Sequence, residues 1–379
     1  MSNNIKYIAY FDFPYSKVKR NYAISAANKI EYAIESFIKS GYNVELISAS
    51  AVTETKLKWY KKEKHRTNSF ITHFLPSFGC KSKILKKIRT LFTLIELYIY
   101  ILTTVKRSDT VIVYHSLGFR NIILWSKKII KFNLILEVEE IYQDVTKYSS
   151  YLKNIEYKMF DIADAYIFST ESLNNKLNKL NKPYIISYGT YKIEEIISPK
   201  YDDGKIHIVY AGTFDPNKGG AIAAIQAAEH LSPKYHVHII GFGNKKDTQL
   251  IKTTILNSSK NTEATITFDG LLKGKEYIQF IQKCHIGLST QNPYAEFNNT
   301  SFPSKILSYM SNGLSVVSIK IDVIVNSEIG SYINYYTEQT PENIAEAIIR
   351  TNIVNNNRTI ISELDNKFIM QIKNIKYRN

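Results

Sequence analysis

The chain has 379 residues, which favours two domains of similar size over one large core. Hydrophobic residues make up 44% and charged residues 22%, which excludes a wholly disordered protein. Nine Pro and fifteen Gly, with no short-period repeat, exclude collagen-like, linker-like and solenoid chains. Two distant cysteines, Cys80 and Cys284, cannot build a disulfide scaffold or a cysteine zinc site, and read as buried small side chains in a reducing compartment. Forty-nine basic against 34 acidic residues leave a formal charge of +15.

The opening MSNNIKYIAYFDF has no basic region ahead of a long apolar stretch, so no signal peptide is expected. IKYIAYFDF reads as a buried strand. AISAANKIEYAIESFIKSG then carries Ile24, Ala27, Ile30, Ile34 and Ile38 at helical spacing, Gly41 stops it, and YNVELISA is the next strand. This β-α-β unit is the building block of a doubly wound parallel sheet.

Positive charge is concentrated next. Between Lys56 and Arg89 eleven Lys or Arg face one acid, Glu63, so this stretch carries +10 of the +15. KSKILKKIRTLFTLIELYIYILTTVKR reads as a single helix, basic and then apolar. Its apolar part, Leu91 to Val105, has 15 residues including Glu96, short of the ~18–20 needed to span a bilayer. Residues 56–107 are therefore expected to meet an anionic membrane surface from the cytoplasmic side, at up to ~1 kcal/mol per well-placed cation. A solvated charged face and an ordinary core helix are the competing readings. No helix-turn-helix, zinc-finger or RNP motif accompanies the charge, so no nucleic-acid partner is expected.

Strands follow at TVIVYHS (Thr110 to Ser116), FNLILEVEE (Phe132 to Glu140), AYIFST (Ala165 to Thr170) and YIISYG (Tyr184 to Gly189), with helical segments between. The polar stretch SPKYDDGK, Ser198 to Lys205, reads as the domain boundary. The rhythm then restarts. KIHIVYAGT, YHVHIIGFG, ATITFDG, HIGLST and LSVVSIK are strands; GGAIAAIQAAEHL, KEYIQFIQKC and FPSKILSYMSNG are helices; the tail from Asn356 is helical. The expected division is an N-terminal Rossmann-like domain over 1–198, a second over 199–355, and a C-terminal helix over 356–379 that packs back on the first.

The second half carries the densest chemistry. In IVYAGTFDPNKGG a strand ends at Gly212 and Thr213, and a loop leads through Lys218 to Gly219 and Gly220. Glycines let backbone N–H groups approach an anion, a helix N-terminus carries about half a unit charge, and lysine adds a mobile full charge. Gly241 and Gly243 offer a second close approach. No complete GxGxxG or Walker A motif is present, against dinucleotide and P-loop readings. FNNTSFPSKILSYMSNGLSVVS places Pro303 and Ser304 at a helix start and Lys305 in its first turn, with Gly313 ending the helix before an apolar strand.

These segments, in this order and spacing, resemble the donor-binding half of family-4-type glycosyltransferases of the GT-B fold, over most of residues 205 to 350. The resemblance implies two Rossmann-like doubly wound α/β domains facing across a cleft. It implies a nucleotide-diphosphate sugar donor, UDP- or GDP-linked, in the second domain, with Lys218 and Lys305 meeting the diphosphate charge as the sugar leaves. Gly212, Thr213, Gly241, Gly243, Pro303 and Ser304 would line the donor. Retention of configuration without a metal follows from the same resemblance; no Asp-x-Asp motif is present, and no cofactor beyond the donor is expected.

The chain departs from the family pattern in places. Thr213 replaces an arginine, and the two glutamates of the family's E-x7-E motif fall on Thr300 and Ser308, the latter at the position that helps bind ribose. In the first domain LILEVEEIYQDV occupies the place of the family's acidic strand end, with Glu139 and Glu140 matching and Glu137 one alternation back. A carboxylate there could orient or deprotonate an acceptor hydroxyl; a plain surface role is the alternative. His115, ending TVIVYHS, is a further catalytic candidate or else a satisfied structural histidine. PYSKVKRNY replaces the family's glycine pair, making Lys17, Lys19, Arg20 and Asn21 candidate acceptor-phosphate contacts. Tyr142, Tyr188 and Tyr294 could stack on sugars, although a compositional bias toward Tyr, Asn, Ile and Lys accounts equally for 28 tyrosines.

The expected function is transfer of a sugar to a lipid-linked glycan in bacterial surface polysaccharide synthesis, at the inner face of the cell membrane. Two alternatives stand beside it: a sugar-nucleotide epimerase of the same fold, and a non-catalytic basic membrane- or nucleic-acid-binding protein.

Overall fold

The computed structural model describes residues 3–142, 149–216, 218–353 and 356–375. Residues 143–145 of the LILEVEEIYQDV segment and Asn217 of the glycine-lysine loop therefore lie outside the described residues. The chain divides into two compact units: Met1–Thr190 with Asn366–Asn379, and Tyr191–Asp365. The break falls ahead of the polar stretch at 198–205. That stretch belongs to the second unit, where Tyr201 N–H bonds the Lys283 carbonyl at 2.9 Å.

The first unit is built on an eight-stranded sheet. Its strands in chain order are β1 (Asn4–Ala9), β2 (Asn43–Ser48), β4 (Glu63–Arg66), β5 (Ile71–Phe74), β7 (Thr110–Tyr114), β8 (Asn133–Val138), β9 (Ala165–Phe168) and β10 (Tyr184–Ile186). β3 (Trp59–Tyr60) and β6 (Ser77–Phe78) pair separately. The order across the sheet is β10-β9-β8-β7-β1-β2-β5-β4, parallel except for the antiparallel β4–β5 hairpin. Parallel strands need crossover helices on both faces, and the strands are accordingly apolar throughout: Val111, Ile112, Val113, Leu134, Ile135 and Leu136 are all fully buried. Helix α1 (Ile24–Lys39) carries β1 to β2 and buries Ala27, Ile30, Ile34 and Phe37 on one face.

Helix α2 (Lys83–Thr104) spans 22 residues from a Ser82 cap, and α3 (Arg120–Ile130) packs beside it. α2 buries Leu97, Tyr100 and Ile101 against the core. A second row, Ile84, Ile88, Leu91, Ile95, Ile99 and Leu102, recurs every three or four residues and is exposed. Among the described residues no helix is long and apolar enough to cross a membrane. Part of the basic stretch lies off the helix, on the β4–β5 hairpin with Lys64 and Arg66, where no strand was expected. Arg89 leaves the charged surface altogether: it is buried and donates to the Val52 carbonyl.

The second unit is a six-stranded, wholly parallel sheet of order β13-β12-β11-β14-β15-β16. Its strands are β11 (Ile206–Thr213), β12 (Tyr235–Phe242), β13 (Thr265–Gly270), β14 (Ile286–Ser289), β15 (Ser315–Ile319) and β16 (Asn334–Tyr336). The C-terminal helix Asn357–Asn374 begins in this unit, where Asn357 Nδ2 donates to the Leu314 carbonyl at 2.6 Å. From residue 366 it belongs to the first unit, where Phe368 stacks on Tyr32 at 5.7 Å. Each unit is thus a Rossmann-like α/β domain. Both cysteines are free and buried, and burial pushes the Cys284 thiol up.

Candidate active site

In the second unit the chain runs outward through β11, β12 and β13, then returns to the other side of β11 as β14. The carboxyl ends of β11 and β14 therefore form a topological switch point, where open parallel sheets leave a crevice for a ligand. The predicted donor residues collect there. β11 ends at Gly212 and Thr213, and the following loop delivers Lys218 and then the helix Gly220–Ala227. Thr290, just past β14, donates its hydroxyl to the Gly220 carbonyl at 2.7 Å and so pins that helix start. A Cβ on Gly220 would lie 2.3 Å from the Thr290 carbonyl oxygen.

Lys305 opens the helix Lys305–Ser311, after Ser304. Its ammonium lies 4.2 Å from the centre of the Tyr210 ring and would be 3.2 Å from a Cβ on Gly212, beneath the tip of β11. Burial, and then repulsion from Lys218, lower its pKa to about 7. Lys218 is exposed, with its ammonium 5.6 Å over the Phe297 ring. Two cations are thus drawn together, with one of them held near half-protonation. An anion placed between them would relieve both the desolvation and the repulsion.

A tyrosine holds the crevice open. β11 and β14 pair only at Ile208 with Ile286 and Val209 with Gly287, and then diverge. Tyr309 bridges the gap: its hydroxyl accepts from Ala211 N–H at 2.8 Å and donates to the Leu288 carbonyl at 3.3 Å. Gly287 makes room for it, since a Cβ there would meet the Tyr309 ring at 2.3 Å. Sequence reasoning missed Tyr210, Thr290, Tyr309 and Gly287, because their partners lie 21 to 98 residues away in the chain. Gly241 and Gly243 have a packing role. Gly241, at φ +149°, would place a Cβ 1.8 Å from the Gly212 carbonyl oxygen, and Gly243 packs against Phe214.

The residues replacing the family glutamates are neutral and engaged. Ser308 Oγ lies 3.1 Å from the Tyr277 hydroxyl, and Thr300 is buried. Ser304 is exposed at the helix start and Pro303 half-buried beside it. Tyr294, 91% exposed, lines a second cavity of about 240 Å³ with Gly219, Asn292 and Gln339.

In the first unit the sheet order reverses at β1, between β2 and β7, and a cavity of about 510 Å³ opens at their carboxyl ends. Tyr10, Asn21, Ala49, His115 and Tyr142 are among its walls; Glu139 and Glu140 are not. His115 is buried between Tyr142 and Phe160, at 5.2 and 4.9 Å between ring centres, and 3.5 Å from Glu156 Oε1. Burial lowers its pKa to about 3, so it stands there as a neutral packed ring. Glu139 pairs with Lys29 at 2.5 Å, and Lys29 also donates to the Ser187 carbonyl at 2.8 Å. Glu140 is half-buried. Glu137 is wholly buried under the Tyr7 hydroxyl, and burial raises its pKa to about 7.

The PYSKVKRNY loop divides. Arg20 is buried, with its backbone N–H on Asp12 at 2.8 Å and its guanidinium on the carbonyls of Ser50 and Leu75 at 3.2 and 3.3 Å. It braces the loop and does not present itself to a phosphate. Lys19 donates to the Pro14 carbonyl at 2.7 Å, and Lys17 and Asn21 are exposed. Tyr188 is buried and donates to Glu171.

Residues 205–351 match the family model of glycosyl transferases group 1. Comparison with curated proteins finds no match. Among solved structures the chain is similar to the α,α-trehalose-phosphate synthase (UDP-forming) of Burkholderia vietnamiensis, at 10% identity and a TM-score of 0.59, over 99% of this chain and 96% of that one. It is likewise similar to the sucrose-phosphate synthase of Thermosynechococcus elongatus, at 12% identity and 0.63, over 98% and 94%. The Anabaena protein Alr3699/HepE, determined with UDP and glucose, aligns at 12% identity and 0.61, over 98% and 97%. At such identities the likeness establishes the fold, which is GT-B. Together with the match over 205–351 it makes the chain a glycosyltransferase of the GT-B fold.

Proposed function

We propose that the chain is a family-4-type enzyme that transfers a sugar from a nucleoside-diphosphate donor, held by the second unit, to a lipid-linked saccharide taken by the first. The observation that carries the donor assignment is the convergence of Lys305 and Lys218 on the switch point at the tip of β11. Two cations beside a helix start suit a diphosphate leaving group, whose charge grows as the glycosidic bond breaks. Charge on two lysines meets that need without a catalytic metal, in keeping with a retaining reaction. Similar structures described as UDP-forming, or solved with UDP, support a uridine or related base.

A peripheral place on an anionic membrane, at its cytoplasmic face, is supported by α2. Its exposed row of Ile84, Ile88, Leu91, Ile95, Ile99 and Leu102 begins among the exposed Lys81, Lys83, Lys86 and Lys87. Apolar side chains that dip into an interface beside cations that meet its headgroups suit a lipid-borne acceptor, as in bacterial surface polysaccharide synthesis.

The test is thermal stabilisation by UDP, GDP, TDP and CMP on the wild type and on Lys305→Ala. A nucleotide at ~100 times its dissociation constant adds ~2.7 kcal/mol to the wild type and nothing to the variant. Turnover of Lys305→Ala is expected to fall ~100-fold or more with the fold intact. Near-normal turnover would sink the assignment, and donor isomerised without any acceptor would replace transfer with epimerisation.

A further inference from the structure

The opposite edge of the second sheet carries a cluster that the donor site does not use. His207 is the second residue of β11, and His236 and His238 are the second and fourth of β12. Alternate residues of a strand share a face, and His207 pairs in register with His236, so the three imidazoles stand together. One nitrogen from each ring lies within 4.8 Å of the others. His207 and His238 are buried, while His236 is half-buried and open to solvent. All three sit at the amino ends of their strands, whereas Gly212, Lys218 and Lys305 gather at the carboxyl ends.

The outward nitrogens are anchored. His207 Nε2 lies 2.9 Å from Asp203 Oδ1, and His238 Nδ1 lies 3.2 Å from Asp269 Oδ2 and 3.0 Å from Thr267 Oγ1. Thr267 donates its own proton to Asp269 at 2.8 Å, so its oxygen is left to accept from His238. Each carboxylate thus takes the N–H of its imidazole. The two inward nitrogens, His207 Nδ1 and His238 Nε2, then face each other with lone pairs only 2.8 Å apart. Facing lone pairs repel unless a cation stands against both. A carboxylate behind each imidazole is the arrangement that orients histidines toward a metal and raises their basicity.

We propose that His207, His236 and His238 bind one divalent transition-metal ion, of the zinc type, as a structural brace at the amino edge of the second sheet. Three imidazoles suit zinc, which takes nitrogen ligands at about 2.0–2.1 Å. A tetrahedral site needs its ligand atoms about 3.4 Å apart, so the rings close in slightly, with His236 on the solvent side as the one to swing. The ion would tie β11 to β12. Through Asp203 and Tyr201, stacked on His207 at 4.0 Å, it would also hold the segment that leads into the domain. Burial, and then its neighbours His238 and His207, lower the His236 pKa to about 4, so that ring is already neutral at pH 7.

The test uses the tag-free full-length chain, stripped with a chelator and titrated with Zn2+ by calorimetry and with Co2+ by visible absorption. One equivalent of Zn2+, a Co2+ ligand-field band displaced by Zn2+, and a melting temperature that rises with Zn2+ are expected. His236→Gln and His238→Gln should each lose the equivalent, while His230→Gln, on the surface beside Glu342, should keep it. Should the buried His238→Gln fail to fold, the half-buried His236→Gln decides alone. Binding well below one equivalent in the wild type, or binding unchanged in His236→Gln, overturns the site. Neither result depends on donor or acceptor, so it stands apart from the transfer assay.

Discussion

Lys305 carries the sharpest consequence at the scale of single residues. Its folded pKa of about 7 lies far below the ordinary lysine value of ~10.4 because burial and Lys218 disfavour the ammonium. A bound diphosphate reverses that balance and raises the pKa, so above pH 7 binding must take up a proton at this side chain. The sign follows: affinity is greatest below pH 7 and falls toward tenfold per pH unit above it, until the bound-state pKa is reached. Calorimetry at pH 8 in buffers of different ionisation enthalpy should show uptake of nearly one proton. Lys305→Arg keeps its charge throughout and should abolish that uptake. Equal apparent enthalpies in all buffers for the wild type would remove Lys305 from the site. His115 behaves in the opposite way: already neutral and packed between aromatics, it has no titration near neutrality to contribute.

At the scale of elements, the junction of β11 and β14 rests on a side chain where backbone pairing has run out. Tyr309→Phe keeps the ring but strands the buried Ala211 N–H, and should cost about 1–3 kcal/mol in denaturant unfolding. Gly241→Ala should cost at least as much, because its methyl would overlap the Gly212 carbonyl at the tip of the neighbouring strand. A loss below ~0.5 kcal/mol in both would contradict the close approach at these positions. α2 supplies a separate test, because the residues it exposes are not those that hold the domain together. Ile95→Glu with Ile99→Glu should leave the melting temperature nearly unchanged and lower binding to anionic vesicles several-fold. Retention of full binding would exclude the stripe as a membrane contact. The apolar run was legible as an interfacial or core helix; that it is both, on opposite faces, was not. Which row faces inward depends on the helix seated beside it.

At the scale of the whole molecule, the first unit is discontinuous in sequence, since residues 366–379 complete it after the chain has built the second. Phe368 and Ile372 are almost fully buried there, and Ser40 Oγ donates to the Ile369 carbonyl at 3.2 Å. Phe368→Ala is therefore expected to destabilise the first unit by about 3–5 kcal/mol, read as a lowered unfolding midpoint. An unchanged midpoint would mean that the tail is dispensable. The net charge acts at this scale as well. With +10 of the +15 gathered between Lys56 and Arg89, vesicle binding should weaken steeply between 50 and 500 mM salt, as the Debye length shrinks from ~14 to ~4 Å.

The sequence by itself determined the class of fold and the place of the donor loop. Apolar strands of four to eight residues alternating with helical periods admit little but parallel sheets, and the glycine-lysine loop and the helix start at Ser304 are local signals. Lys218 and Lys305, 87 positions apart, could be paired from sequence only through resemblance. The tertiary structure decided what the neighbours of each group make of it. Arg20 looked like a phosphate contact and is a buried brace. Glu139 looked like a free carboxylate and is committed to Lys29. His207, His236 and His238 carried no motif until β11 and β12 paired in register. Charge, pKa and hydrogen-bond partners are set by what lies within a few ångströms in space, and in a parallel sheet those neighbours come from strands separated by whole helices.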